Sequence, residues 1–240
     1  IENFFEYKFN RSFEPIGLEI ILSKDINLNI YITSRKNKEL VHLSFDFEKF
    51  KVIDRISLPF QTRSQISIGN ISKEKFLAIG LWGGEITNLN ESYNGYVQIF
   101  KLDNMFKIIS HEGHLISSGT NTTDVIFFDF DSDGNDEIFS LNYGNGINIL
   151  KRNNFGNISV FKFKEDNFKK IATIKIPSPR ISYVGDFDGD KFNGHGNWVS
   201  ASSSQVYISY HGPKSSGRIY SPPRHYKKRM QTQKRVKDVT

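Results

Sequence analysis

Apolar and polar residues alternate in short runs along most of this chain, and the runs repeat. Val41–Ile53, Val97–Ile109 and Ser159–Ile171 each read as an alternating stretch, a polar turn, then Phe-Lys and a second alternating stretch. A period of two is the signature of half-buried strands. Phe50, Phe106 and Phe168, which open the second stretch, stand 56 and 62 residues apart. Upstream strand pairs repeat as well: Ser67–Asn70 with Phe76–Ile79, Phe127–Asp129 with Ile138–Ser140, and Val184–Asp186 with Trp198–Ala201. Their loops begin at Asn70, Asp129 and Asp186, spaced 59 and 57 residues.

Four strands to a unit at such a period is the pattern of a propeller blade. The chain is therefore expected to be all-β, a β-propeller of about four repeats, each a four-stranded antiparallel sheet. An earlier unit is traced at Leu18–Leu22 and Asn29–Thr33, joined by Ser23–Asn27. The fourth stops at Val206–Tyr210 without an outermost strand. Asn3–Phe9 resembles Asn167–Ile171, so the N-terminal strand is expected to complete the last blade and close the ring, leaving no long edge. A slice of a larger propeller is the alternative.

From His211 onward neither period survives, and Gly, Pro, Ser and basic residues dominate. This divides the chain into a propeller body, residues 1–210, and an extended or disordered tail, residues 211–240. The tail holds nine Lys or Arg against Asp238, a charge of +8; the whole chain carries +6, which leaves −2 for the body. A mildly acidic body with a basic arm argues against nucleic acid as a partner and for docking of the arm on an acidic protein surface, such as a neighbouring copy. There are no cysteines, hence no disulfide framework and no Cys-ligated zinc. No apolar run reaches the ~18–20 residues of a membrane-spanning helix, and no signal peptide is visible. Because the sequence starts at Ile1 rather than Met, a processed, secreted chain is expected.

The candidate chemistry is concentrated in Asp129-Phe-Asp-Ser-Asp-Gly-Asn-Asp-Glu137, set between the apolar runs Val125–Phe128 and Ile138–Leu141. Acids at loop positions 1, 3 and 5, a glycine at 6, an inward backbone carbonyl at 7 and an acid at 9 can surround a hard cation with oxygen. These are Asp129, Asp131, Asp133, Gly134, the carbonyl of Asn135, and Glu137, and Gly134 can take the left-handed conformation of a tight loop. An EF-hand needs a glutamate at position 12 between two helices. Here position 12 is Ser140 and both flanks are strand-like. Asp186-Phe-Asp-Gly-Asp190 repeats the acids, but Lys191 replaces the glycine, so Asp186, Asp188 and Asp190 form a weaker second site.

The loop at Asp129–Glu137 resembles the Asp-x-Asp-x-Asp-Gly-x-x-Asp/Glu loop of the FG-GAP/VCBS repeat family, found in integrin α-chain heads and bacterial surface proteins. The resemblance covers about residues 60–210 and is specific at this one loop. It implies Ca²⁺ as the bound ion, an extracellular or cell-surface location, and work in adhesion or in protein or carbohydrate recognition.

Other motifs add little. There is no Gly-x-Ser-x-Gly elbow, no Gly-x-x-x-x-Gly-Lys phosphate loop and no dinucleotide fingerprint. His111 and His114 have i, i+3 spacing and read as a surface turn. Trp82 is expected in the core, whereas Tyr93 suits either the core or an exposed stacking surface. Sequons at Asn10, Asn70, Asn90, Asn121 and Asn157 are candidate N-glycosylation sites. The expected function is a non-enzymatic, calcium-stabilised interaction or structural module; the alternative is an accessory or catalytic domain of a secreted polysaccharide-active enzyme.

Overall fold

The computed structural model describes residues 6–10, 12–23, 27–84, 92–144, 155–177, 179–184, 197–201 and 204–208. It consists of strands and turns, and among these residues no helix is long and apolar enough to cross a membrane. The strands form consecutive antiparallel meanders. The first sheet is β1 (Pro15–Leu22), β2 (Leu28–Ser34), β3 (Glu39–Phe45) and β4 (Phe50–Ser57). The second is β5 (Thr62–Ile71), β6 (Glu74–Leu81), β7 (Asn94–Leu102) and β8 (His114–Thr120). β9 (Thr122–Phe128), β10 (Glu137–Asn142), β11 (Phe155–Lys164) and β12 (Asn167–Pro177) form the third, and β13 (Pro179–Val184), β14 (Asn197–Ala201) and β15 (Ser204–Ile208) a three-stranded fourth.

Each sheet is a blade, because its first strand packs beside the first strand of the next: β1 on β5, β5 on β9, β9 on β13. Alternation along each strand leaves apolar residues on both faces, and the faces meet between blades. Tyr31, Leu40 and Ile56 of the first sheet pack with Ile66, Leu77, Ile79 and Phe100 of the second. On its other side the second sheet offers Phe76, Ala78, Val97 and Ile99 to Val125, Phe127, Ile138, Phe161 and Phe168 of the third. The blades approach closely at β5 and β9, where a Cβ on Gly69 would lie 2.3 Å from Cγ of Phe127. Only a residue without a side chain lets Phe127 approach the neighbouring backbone so closely.

The repeat expected from the sequence is thus present, with three corrections. Residues 6–10 are not a strand. Tyr7 and Phe9 pack against Phe13, Phe45 and Phe50 on the first sheet rather than completing the fourth, because that sheet presents a bare apolar face. Phe106 does not open the outer strand of the second blade. It sits in a turn with φ +63°, held by Asp103 Oδ1, which accepts the N–H groups of Met105 and Lys107 at 2.8 Å; the outer strand starts at His114. His114 is therefore a strand residue, and His111 lies 3.3 Å from Asp54. Trp82 is 1% exposed, and its ring lies 6.3 Å from that of Tyr143, with Tyr93 packed at the edge of the pair. The basic tail, the second acidic loop with Asp186, Asp188 and Asp190, and Asn90 lie outside the described residues.

Among the described residues, one face of β1 is not covered. Ile16, Leu18, Ile20 and Leu22 alternate along it and are 37–59% exposed. By register Leu18, Ile20 and Leu22 share the face of Ile32, Ile30 and Leu28, whose outer part Tyr7, Phe9 and Phe13 cover.

Gly69→Ala should lower stability by about 1–3 kcal/mol, the usual cost of overpacking a well-filled contact. Urea unfolding measures it, and an unchanged midpoint would show that the two blades are not in such close contact.

Candidate metal centre

The loop from Asp129 to Asp136 joins the first two strands of the third blade. Its acids wind it into shape before any cation is considered. Asp129 accepts the N–H of Asp133 on Oδ1 at 3.1 Å and that of Gly134 on Oδ2 at 3.0 Å, and Glu137 Oε2 accepts Phe130 N–H at 2.9 Å. Gly134 has φ +85°, as its place in the motif requires, and Ser132 is also left-handed at +58°. This winding converges carboxylates from the two ends of the loop. Asp129, Asp131 and Glu137 each offer an oxygen within 4.8 Å of the others.

Glu137 is the inner wall. It begins β10 and is 1% exposed. Burial raises its carboxyl above the ordinary value, partly offset by the nearby Lys162 ammonium and by the Phe130 N–H bond. The second feature of the cup is a lysine from another strand. Lys162, near the end of β11, places Nζ 2.6 Å from Asp131 Oδ2, 2.6 Å from Asp133 Oδ2 and 3.0 Å from Glu137 Oε1. Burial disfavours the ammonium, but the three carboxylates around it outweigh this and hold its pKa above the usual lysine value. Its bond to Asp133 pulls that carboxyl below the ordinary aspartate value.

One ammonium does not satisfy this cup. Asp129, Asp131, Asp133 and Glu137 carry four negative charges against one positive, a net −3. Glu137 Oε1, although 3.0 Å from Nζ, has no partner in hydrogen-bonding geometry, which is costly for a buried oxygen. An all-oxygen donor set with surplus negative charge suits a hard divalent cation.

The motif residues divide by direction. Asp129, Asp131 and Glu137 converge, whereas Asp133 stands at the rim, with Oδ1 taken by the backbone and side-chain N–H groups of Asn135 and Oδ2 by Lys162. The side chain of Asn135 points away, its Oδ1 accepting Ser72 N–H at 2.6 Å, so only its carbonyl is left as a donor to an ion. Asp136 also faces away. Its Oδ2 accepts Asn70 N–H at 2.6 Å, and its own N–H donates to Asn70 O at 2.9 Å; half-burial raises its carboxyl. Asn135 and Asp136 thereby dock the loop on the β5–β6 turn of the neighbouring blade.

Two of these groups escaped the sequence reading. Asp136 has the opposite parity from the acids of the motif, which is the signal that it serves the other side. Lys162 carries no local signal; only the register Ile138 with Phe161 brings it beside the loop. The sequons separate as well. Asn10 and Asn70 are exposed and Asn157 is half-buried. Asn121 is fully buried, its Oδ1 accepting Tyr93 N–H and its Nδ2 donating to Gly144 O at 2.9 Å each, so its side chain is a structural clamp and not a surface site for a glycan.

No family model and no curated protein sequence matches the chain. Among solved structures it is similar to a functionally unknown protein from Desulfotomaculum acetoxidans, with 15% identity, a TM-score of 0.42, and coverage of 85% of this chain and 68% of that one. It is also similar to an α-L-arabinofuranosidase from Clostridium thermocellum, with 15% identity, a TM-score of 0.44, and coverage of 88% and 73%. At this distance neither likeness bears on the ligand or reaction of this chain.

Asp136→Ala should cost about 0.5–1.5 kcal/mol, the net worth of a hydrogen bond that the exposed Asn70 N–H then exchanges for water. Urea unfolding reads it, and wild-type stability in the variant would contradict the docking role.

Proposed function

We propose that the chain is a non-enzymatic, calcium-stabilised interaction module of an extracellular or surface assembly. The observation that carries this reading is the convergence of Asp129, Asp131 and Glu137 on one point, with a buried glutamate oxygen that lacks a hydrogen-bond partner. Bound there, calcium supplies positive charge and takes oxygen ligands from any direction; Asp129 and Glu137 tie the two ends of the loop, and Asp131 closes the open side. Calcium suits this loop better than magnesium, because it accepts irregular carboxylate geometry where magnesium demands a regular octahedron. The assignment keeps the likeness to the FG-GAP/VCBS loop.

The cup is one side of a joint. Asn135 and Asp136, in the same loop, hold the second blade, so an ordered loop fixes the angle between two blades. A rigid joint serves a module that presents a surface. The uncovered stripe of Ile16, Leu18, Ile20 and Leu22 is aliphatic, which favours protein over glycan as the partner, since sugars are met by aromatic rings and polar groups. The basic tail is a second contact in this proposal, to an acidic partner or a neighbouring copy.

Calcium at a hundred times its dissociation constant should add about 2.7 kcal/mol to stability, which for a chain of this length raises the melting temperature by about 5–10 °C. Asp131→Asn should lose most of that rise. Identical melting in calcium and in chelator would sink the reading.

A further inference from the structure

The cup already holds a cation that belongs to the chain. Lys162 reaches it from β11, 25 residues beyond Glu137, and its side chain is only 16% exposed. This is not a general cloud of positive charge. Lys169 pairs with Glu165, and Lys170 donates to the Ser118 carbonyl at 3.0 Å; among the described residues Lys162 is the one lysine on the motif acids.

The fit of the ammonium is incomplete. It donates to Asp131 and Asp133 at 2.6 Å, yet its approach to Glu137 Oε1 lacks hydrogen-bond alignment. An ammonium must aim its N–H bonds, whereas a metal ion has no such requirement. Calcium binds oxygen at about 2.3–2.6 Å, and where Asp129, Asp131 and Glu137 converge two of the three carboxylates, Asp131 and Glu137, are those that Nζ now holds. Two cations sharing the carboxylates of Asp131 and Glu137 would repel strongly. Occupancy by one therefore excludes the other.

We propose that Lys162 is a tethered placeholder: its ammonium fills the Asp131–Asp133–Glu137 cup until a divalent cation displaces it, and it thereby sets the affinity of the site. The inference rests on the metal reading above and adds to it the residue that governs binding. Without metal the lysine, 3.0 Å from Glu137 Oε1, offsets part of the buried charge, so the blade joint persists in a looser form. With metal the lysine swings out to solvent on its flexible stem. The competition weakens calcium binding toward the range of extracellular modules, about 10⁻⁴ to 10⁻³ M.

Calcium titration by calorimetry on the wild-type chain, Lys162→Gln, Lys162→Arg and Lys164→Gln tests this. Lys162→Gln should bind calcium at least about tenfold more tightly than wild type and melt at a lower temperature in chelator. Lys162→Arg, which keeps the charge, and Lys164→Gln should both stay within about threefold of wild type. In the wild-type chain, calcium should shift the Nζ and Cε nuclear magnetic resonance signals of Lys162 and leave those of Lys164 in place. A Lys162→Gln chain that folds only when calcium is supplied gives the same answer in stronger form. Equal calcium affinity in wild type and Lys162→Gln, or an unmoved Lys162 signal at saturation, overturns the placeholder and leaves the metal site standing. Absence of calcium binding in every variant overturns both, and Lys162 is then a permanent ion-pair partner.

Discussion

A carboxylate at the start of a buried strand needs a positive charge beside it. Glu137 is 1% exposed, and an ionised acid taken out of water without a partner is unfavourable by far more than one strand pairing returns. Asp129 and Asp131 converge on the same point from the loop that precedes it, with Asp133 at the rim. The rest of the third blade follows from this constraint. β9 and β10 can end and begin where they do only if the loop between them gathers cation and carboxylates in one place. The side chains of Asn135 and Asp136 are then turned outward onto the β5–β6 turn, so that one loop organises its own blade and grips the next.

Strand periodicity carried much of the architecture. Alternation with a repeat near sixty residues located three full blades and the shortened fourth, because each blade buries both faces and every strand must carry apolar residues at fixed parity. Parity failed where a side chain redirected the backbone: the Phe-Lys match at Phe106 looked like a strand start, but Asp103 captures two amides there and curls the chain into a turn. It failed at the N-terminus for a tertiary reason, since Tyr7 and Phe9 pack on the apolar face of the first sheet. Asn121 shows the same limit in small. A sequon is three residues of text, whereas burial at the junction of two blades is a property of the whole fold.

The acidic loop was legible because its geometry is local: acids at every second position and a glycine with positive φ specify a turn that folds its carboxylates together. Lys162 was not legible, since nothing near it in the chain marks it, and it arrives through the pairing of β10 with β11. Sequence read alone therefore shows an anionic loop awaiting a cation from solution. With the third strand in place, the loop has a cation of its own that meets part of its charge and leaves Glu137 Oε1 unsatisfied. In the proposal above, the surplus of negative charge draws the divalent cation and the lysine sets the concentration at which it binds.

Amide hydrogen exchange with and without calcium reports most directly on whether a cation at Glu137 holds the two blades together. The account places the response at Phe130, whose N–H is bound by Glu137, and at Asn70 and Ser72 on the adjacent blade. These amides should exchange at least about tenfold more slowly in calcium, while the Asn121 amide bound to Tyr93 O at the opposite end of the blade keeps its rate. Equal exchange at Phe130, Asn70 and Ser72 in the two conditions would contradict the account.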